Sequence, residues 1–326
     1  MARASHWLVL VGTVLPALLL STHIEPAGPK GRASTSASGL RRGTGTPRTV
    51  PVSTAPPVEV LAGAGRAIDR SYFEPGSCES FGPTAGDRHL TVFLDAGHGG
   101  LDPGSVGETE RGQTIYEADE TLPVELDTMA LLRASGFEVV VSRTNSAAVA
   151  RPRPGDISGD VFSVEGDHRD IVARDICAND AKADILLGIY FDAGPSPLNA
   201  GCLTGYDSVR PFAAENRRFA TLVQADVLRA MNNRGWRIPD DGVVPDTELG
   251  GAPLSAAAAD YGRLVLLGPA DPGYVSSPSE MPGALIEPLF ITDPFEASIA
   301  ASQVGQWVIA SGLATAVERY FGPGLA

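Results

Sequence analysis

The chain has 326 residues, with 25 Lys and Arg against 39 Asp and Glu, a net charge of −14, 37 Gly, 26 Pro and 3 Cys. That length supports one large or two small domains with a real core, and so few cysteines cannot knit a disulfide-dense scaffold. The acidic excess makes nucleic acid a poor partner.

In chain order, Arg3 and His6 precede an apolar run, Trp7 to Leu20. Such a run suits the core of an export signal and falls short of the roughly 20 residues that cross a bilayer. Ser21, Thr22 and His23 follow without a small-x-small cleavage site, so cleaved signal and retained anchor both stay open for residues 1–23, with membrane contact only in the second case. Residues 24–57 are rich in Pro, Gly, Ser, Thr and Arg and nearly lack large apolar side chains, which predicts a disordered linker. Six basic side chains against the single acid Glu25 in residues 1–57 would let this tether reach through an anionic wall polymer, or serve as a plain spacer. Residues 58–87 form a lead-in, and the folded body is expected over 88–326.

Within that body, residues 89–94, 138–142, 185–191, 203–206, 264–267 and 284–290 read as strands, several apolar throughout, as in a sheet covered on both faces. Helical spacing marks 121–135, 169–182, 212–232 and 303–320. Alternating strands and helices predict an α/β fold: one largely parallel or mixed sheet of about six strands with helices on both faces. The loops at the carboxyl ends of its strands are where a site is expected. Cys177 with Cys202 is the expected disulfide, because the strand between them could bring a helix end and a loop together.

The first such loop is the most informative stretch. A hydrophobic strand delivers Asp95, Gly97, His98, Gly99 and Gly100 to a turn where glycines permit tight bending and close ligand approach. His98 then points into a cleft. The stretch has neither a dinucleotide-binding GxGxxG nor a P-loop GK[ST], so phosphate binding is disfavoured.

LDAGHGGLDPGSVG (94–107), YEADETLPVEL (116–126), GFEVVVSRT (136–144), LLGIYFDAG (186–194) and PGALIEPLFITDPFEASI (282–299) follow one another in an order that resembles the zinc-dependent N-acetylmuramoyl-L-alanine amidases. The resemblance covers roughly residues 88–321. It implies an exported or wall-associated monomer that acts on peptidoglycan, hydrolysing the amide between N-acetylmuramic acid and L-alanine. It also implies His98 and Glu117 as zinc ligands and Glu287 as general base and then acid. Such chemistry suits these residue types: zinc with three protein ligands activates water and stabilises the oxyanion, and a nearby carboxylate moves the proton. Burial at the end of an apolar strand would raise the pKa of Glu287 toward that role.

The third ligand of the family is a histidine, and Tyr190 stands in its place. Three outcomes follow: zinc held with Tyr190 as phenolate, a weakened site completed by water, or no metal. Asp192 is an alternative donor if the strand shifts, and His168 a remoter one. Glu117 is expected on a loop before a helix starting at Thr121, because Pro123 fits only a first turn; Asp119 and Glu120 could then share its role. Trp236 and Tyr261 are offered as a sugar platform or as packing, and residues 147–166 as a wall of the cleft. A domain of this kind that binds peptidoglycan or regulates wall hydrolases without cleaving is the alternative function.

Overall fold

The computed structural model describes residues 65–69, 71–249, 258 and 261–322. The expected export segment, the linker and the start of the lead-in lie outside the described residues. No described helix is long and apolar enough to cross a membrane.

Described strands and helices run β1 (Arg66–Ala67), β2 (Ser77–Phe81), β3 (Thr91–Ala96), β4 (Val106–Glu108), β5 (Thr114–Tyr116), α1 (Glu117–Ala134), β6 (Glu138–Arg143), β7 (Ile157–Ser158), β8 (Val161–Phe162) and α2 (Val164–Asp180). Next come β9 (Ile185–Ile189), β10 (Cys202–Tyr206), α3 (Ala213–Asn232), β11 (Asp240–Pro245), β12 (Gly283–Glu287), α4 (Pro294–Ala300) and α5 (Gln303–Phe321). The central sheet has eight strands in the order β1-β2-β6-β3-β9-β12-β10-β11. Its middle, β6-β3-β9-β12, is parallel, whereas β2 runs antiparallel to β6, and β10 antiparallel to β12. The parallel middle directs β3, β9 and β12 toward one edge, where their ends carry Asp95, Tyr190 and Glu287.

Period-two alternation sorts the side chains. Val92, Leu94, Leu187 and Ile286 face a core shared with α1, α3 and α5, while Phe93, Leu186 and Leu285 face a second core with α2 and the 264–267 segment. Each fully buried Leu, Ile or Phe there is worth about 1.5–3 kcal/mol in transfer from water. Both faces are covered, which is why these strands read as continuous apolar runs.

Several expectations change. The 264–267 segment is a turn, not a strand; its leucines are apolar because they pack on the sheet from outside. β2 and β11 had no strand signal, since Ser77, Glu79 and Ser80 interrupt one, and Asp240, Asp241 and Pro245 the other. Proline is tolerated at the sheet edge that β11 forms. α1 starts at Glu117, four residues earlier than expected, and holds Pro123 inside it. Three acids in its first turn, Glu117, Asp119 and Glu120, favour the helix's positive end. The disulfide joins Cys78 to Cys177, tying β2 to α2, and Cys202 is buried and free. Cys202 faces the opposite core, across the sheet from Cys177, so the expected pair could not form.

Candidate active site

The turn after β3 is held from both sides. Arg143, from β6, donates to the carbonyls of Ala96 and Gly97, the latter at 3.1 Å. Arg174, from α2, donates to Ala96 and His98 carbonyls, both at 2.7 Å. Thr121 Oγ1, on α1, donates to the Gly97 carbonyl at 2.9 Å. These bonds impose the conformation: His98 has φ 63° and is followed by Gly99 at 124° and Gly100 at 64°. A left-handed histidine is a sparsely populated state that the surrounding bonds must maintain.

His98 is bracketed by carboxylates. Its Nδ1 lies 2.6 Å from Asp102 Oδ2, and its Nε2 lies 3.0 Å from Glu117 Oε1. Glu117 opens α1, and its carboxylate also accepts from the backbone N–H of Ser105 and Phe191, each at 2.9 Å. Burial opposes a charge on His98, but Glu117 and Asp102 outweigh it and raise its pKa to about 10. Its contact with His98 holds Asp102 below its ordinary value against the pull of burial. Gly104 lets the groups meet: a Cβ there would lie 2.7 Å from Glu117 Cβ and 2.8 Å from His98 Cδ2.

Glu287 ends β12 with only 5% of its surface exposed, and its Oε2 has no hydrogen-bond partner. Burial first, then Asp192 and Glu117, push its pKa well above the usual carboxylate range. His98, Asp102, Asp167, Tyr190, Leu266 and Glu287 are among the side chains lining one cleft. The 147–166 segment contributes Val161 and Phe162 to a neighbouring groove that shares Asp102 and Asp167 with this cleft.

Three residues singled out from the sequence, His98, Tyr190 and Glu287, therefore border one space, and the fourth, Glu117, reaches it through its contact with His98. Tyr190, expected as a third metal donor, packs its ring edge-on to His98, with centroids 5.4 Å apart, and donates its hydroxyl to Asp95 Oδ2 at 3.0 Å. Burial and the charge of Asp95 raise the phenol's pKa well above normal, opposing phenolate. Asp192 lies beyond β9, its carboxylate accepting from the N–H of Ala193 at 2.6 Å, and acts on the site through its charge. His168 stacks on Tyr274, centroids 4.0 Å apart, and takes no part. Glu120 is bonded to Gln306, and Asp119 is exposed. Trp236 packs on the core of α1, α3 and α5, while Tyr261 packs beside Tyr274, so they form no shared platform. The zinc that the resemblance implies needs three converging donors, and among the described residues no three His, Cys, Asp or Glu side chains are placed to hold a metal.

The family model of N-acetylmuramoyl-L-alanine amidases matches residues 92–319, from β3 through α5. The chain belongs to this family. A germination-specific N-acetylmuramoyl-L-alanine amidase from Bacillus subtilis is 26% identical over 230 residues, which cover 71% of this chain and 79% of that protein. The amidase AmiC of Neisseria meningitidis is 24% identical over 250 residues, 72% of this chain and 53% of that protein. The chain thus spans about half the length of AmiC, and a smaller share, 31%, of the B. subtilis amidase LytC. The CwlD amidase of Clostridioides difficile, solved in complex with the GerS lipoprotein, shares the fold with a TM-score of 0.53 at 18% identity, over 71% of this chain and 98% of CwlD.

In this amidase-family chain, Asp102, Arg143 and Arg174 build the site without having been singled out from the sequence, and Asp95 was named there without its partners. The available signal was charge inside apolar context. Arg143 ends an apolar strand, and Asp95 lies one residue before the end of another; charges are seldom buried unless paired.

Proposed function

We propose that this chain is an exported, wall-associated monomer that acts on peptidoglycan at the amide joining N-acetylmuramic acid to L-alanine, with Glu287 carrying the proton. One observation carries the reading: a buried carboxyl at the end of β12, with an unpartnered oxygen, borders the same cleft as His98. Family membership and the printed activities of the Bacillus and Neisseria relatives supply the substrate class.

Hydrolysis adds the oxygen of water to the carbonyl carbon and delivers protons to the departing nitrogen. A buried carboxyl whose pKa is raised suits that delivery, because it keeps its proton to a higher pH than an exposed glutamate does. Once Glu287 has given the proton up, the field of Glu117 and Asp192 favours taking the next one from water. Asp102 and Glu117 fix the His98 ring against the substrate side of the cleft. Leu264, Leu266 and Leu285 give the cleft an apolar wall that keeps bulk water from the acid.

A second reading, binding of peptidoglycan without cleavage, is favoured by the engagement of the Tyr190 hydroxyl with Asp95. Incubating wild type and Glu287→Gln with muropeptides, and quantifying free stem peptide by mass spectrometry, separates the two. The first reading expects release by wild type and a loss of about 100-fold or more in the variant. Equal release by both removes Glu287 from the mechanism. Retention of both on insoluble peptidoglycan with no release by either establishes the second reading.

A further inference from the structure

We propose that Tyr190 closes this cleft to tight metal binding, so that His98 and Glu117 hold each other where the family resemblance implies a zinc ion. The inference rests on the same cleft as the function proposed above and concerns what completes it.

A zinc site with three protein ligands needs three lone pairs pointing at one position. Here two of them are satisfied by mutual contact. His98 Nε2 meets Glu117 Oε1 at 3.0 Å, Glu117 further accepts from Ser105 and Phe191, and His98 Nδ1 meets Asp102. An Nδ1 contact to a carboxylate is the arrangement that normally orients a metal-bound histidine, so the frame for one ligand persists while the set is incomplete.

The third corner belongs to Tyr190, and its geometry is fixed elsewhere. The ring lies so close to Gly97 that a Cβ there would be 2.4 Å from it, and its edge meets His98. Its hydroxyl reaches past the imidazole to Asp95, a side chain with 0% exposure that Arg174 also engages. Arg174 is in turn bonded to Asp170 at 2.9 Å and to the His98 carbonyl at 2.7 Å. Turning the phenol toward a cation would leave one oxygen of buried Asp95 without its donor, a desolvation cost of about 1–3 kcal/mol, more for a charged group. Asp192 does not replace it: its Oδ1 accepts from the N–H of Ala193, and its backbone is tied to Leu289 and Ile291. Histidine at 190 would be shorter than tyrosine and would not reach for Asp95 in the same way, presenting an imidazole nitrogen instead.

The test is metal content and affinity of the full chain. Wild type and Tyr190→His are loaded with zinc chloride, dialysed against metal-free buffer and assayed by elemental analysis, then titrated with zinc by calorimetry. The expected result is far less than one zinc per wild-type chain, close to one per Tyr190→His chain, and a tightening of about 100-fold or more. One zinc per wild-type chain after dialysis overturns the proposal, as does a folded Tyr190→His no tighter than wild type. Should Tyr190→His fail to fold by circular dichroism, Glu117→Gln decides. Zinc heats unchanged from wild type support the proposal, and a heat present in wild type but lost in the variant overturns it. The outcome is separable from the hydrolytic reading: stem-peptide release that requires added zinc sinks the metal-free cleft while leaving Glu287 in place. Absence of release from wild type both with and without added zinc does the reverse.

Discussion

The imidazole of His98 and the carboxylate of Glu117 form a direct pair, Nε2 to Oε1 at 3.0 Å, across the mouth between the β3 turn and the first residue of α1. Burial opposes the imidazolium, yet Glu117 and Asp102 raise its pKa to about 10. The folded value lies above the unfolded value near 6.5, so the pair's contribution to stability is complete below about pH 6.5 and is lost as pH rises through about 10. Glu117→Gln is therefore expected to lower the urea midpoint clearly at pH 6 and much less at pH 10. A deficit that is the same at both pH values would place the stabilisation elsewhere.

Glu125 gives the same sign in a lower pH window. Its Oε1 accepts from the N–H groups of Ala96 and Ser142, both at 3.0 Å, while burial, partly offset by Arg143, raises its pKa to about 8. The folded state holds a proton that the unfolded chain releases near pH 4.5, so stability falls as pH climbs from about 4.5 to about 8. Glu125→Gln should flatten that part of the profile. Melting temperatures at pH 5 and pH 8 check this, with a smaller drop expected in the variant.

Arg174 is buried to 1% exposure and pairs with Asp95 and Asp170. Removing one partner of a buried pair strands the other charge, typically at about 3–5 kcal/mol. Arg174→Met should cost about that much by chemical denaturation, and adding Asp95→Asn should recover part of it. Additive losses in the double variant would argue that the two side chains are not coupled.

The disulfide from Cys78 to Cys177 closes a long loop, with a sequence separation of 99, and joins β2 to the helix that carries Arg174. Cys78→Ser should destabilise by about 2–5 kcal/mol. A thiol reagent should label nothing in the native chain, Cys202 alone after unfolding without reductant, and all three cysteines after reduction. Labelling of the native chain would show a bridge other than this one.

What the sequence determined by itself is local. The run of apolar residues before Asp95 placed His98 on a glycine-rich turn at a strand end, and another before Glu287 placed an acid where burial raises its pKa. Both follow from the period of a buried strand, which is visible within a few residues. The tertiary structure decided the partners. Tyr190 and Asp95 are 95 positions apart and Arg174 and Asp95 are 79 apart, on strands and a helix that meet only once the sheet is ordered. The choice of Cys78 over Cys202 depended on which face of that sheet each thiol occupies. Hydrophobic spacing records how deeply a side chain is buried, whereas the atom it meets there is set by strand order and register. For that reason the sequence could show that a family histidine is a tyrosine here, and only the fold could show where the phenol's proton goes.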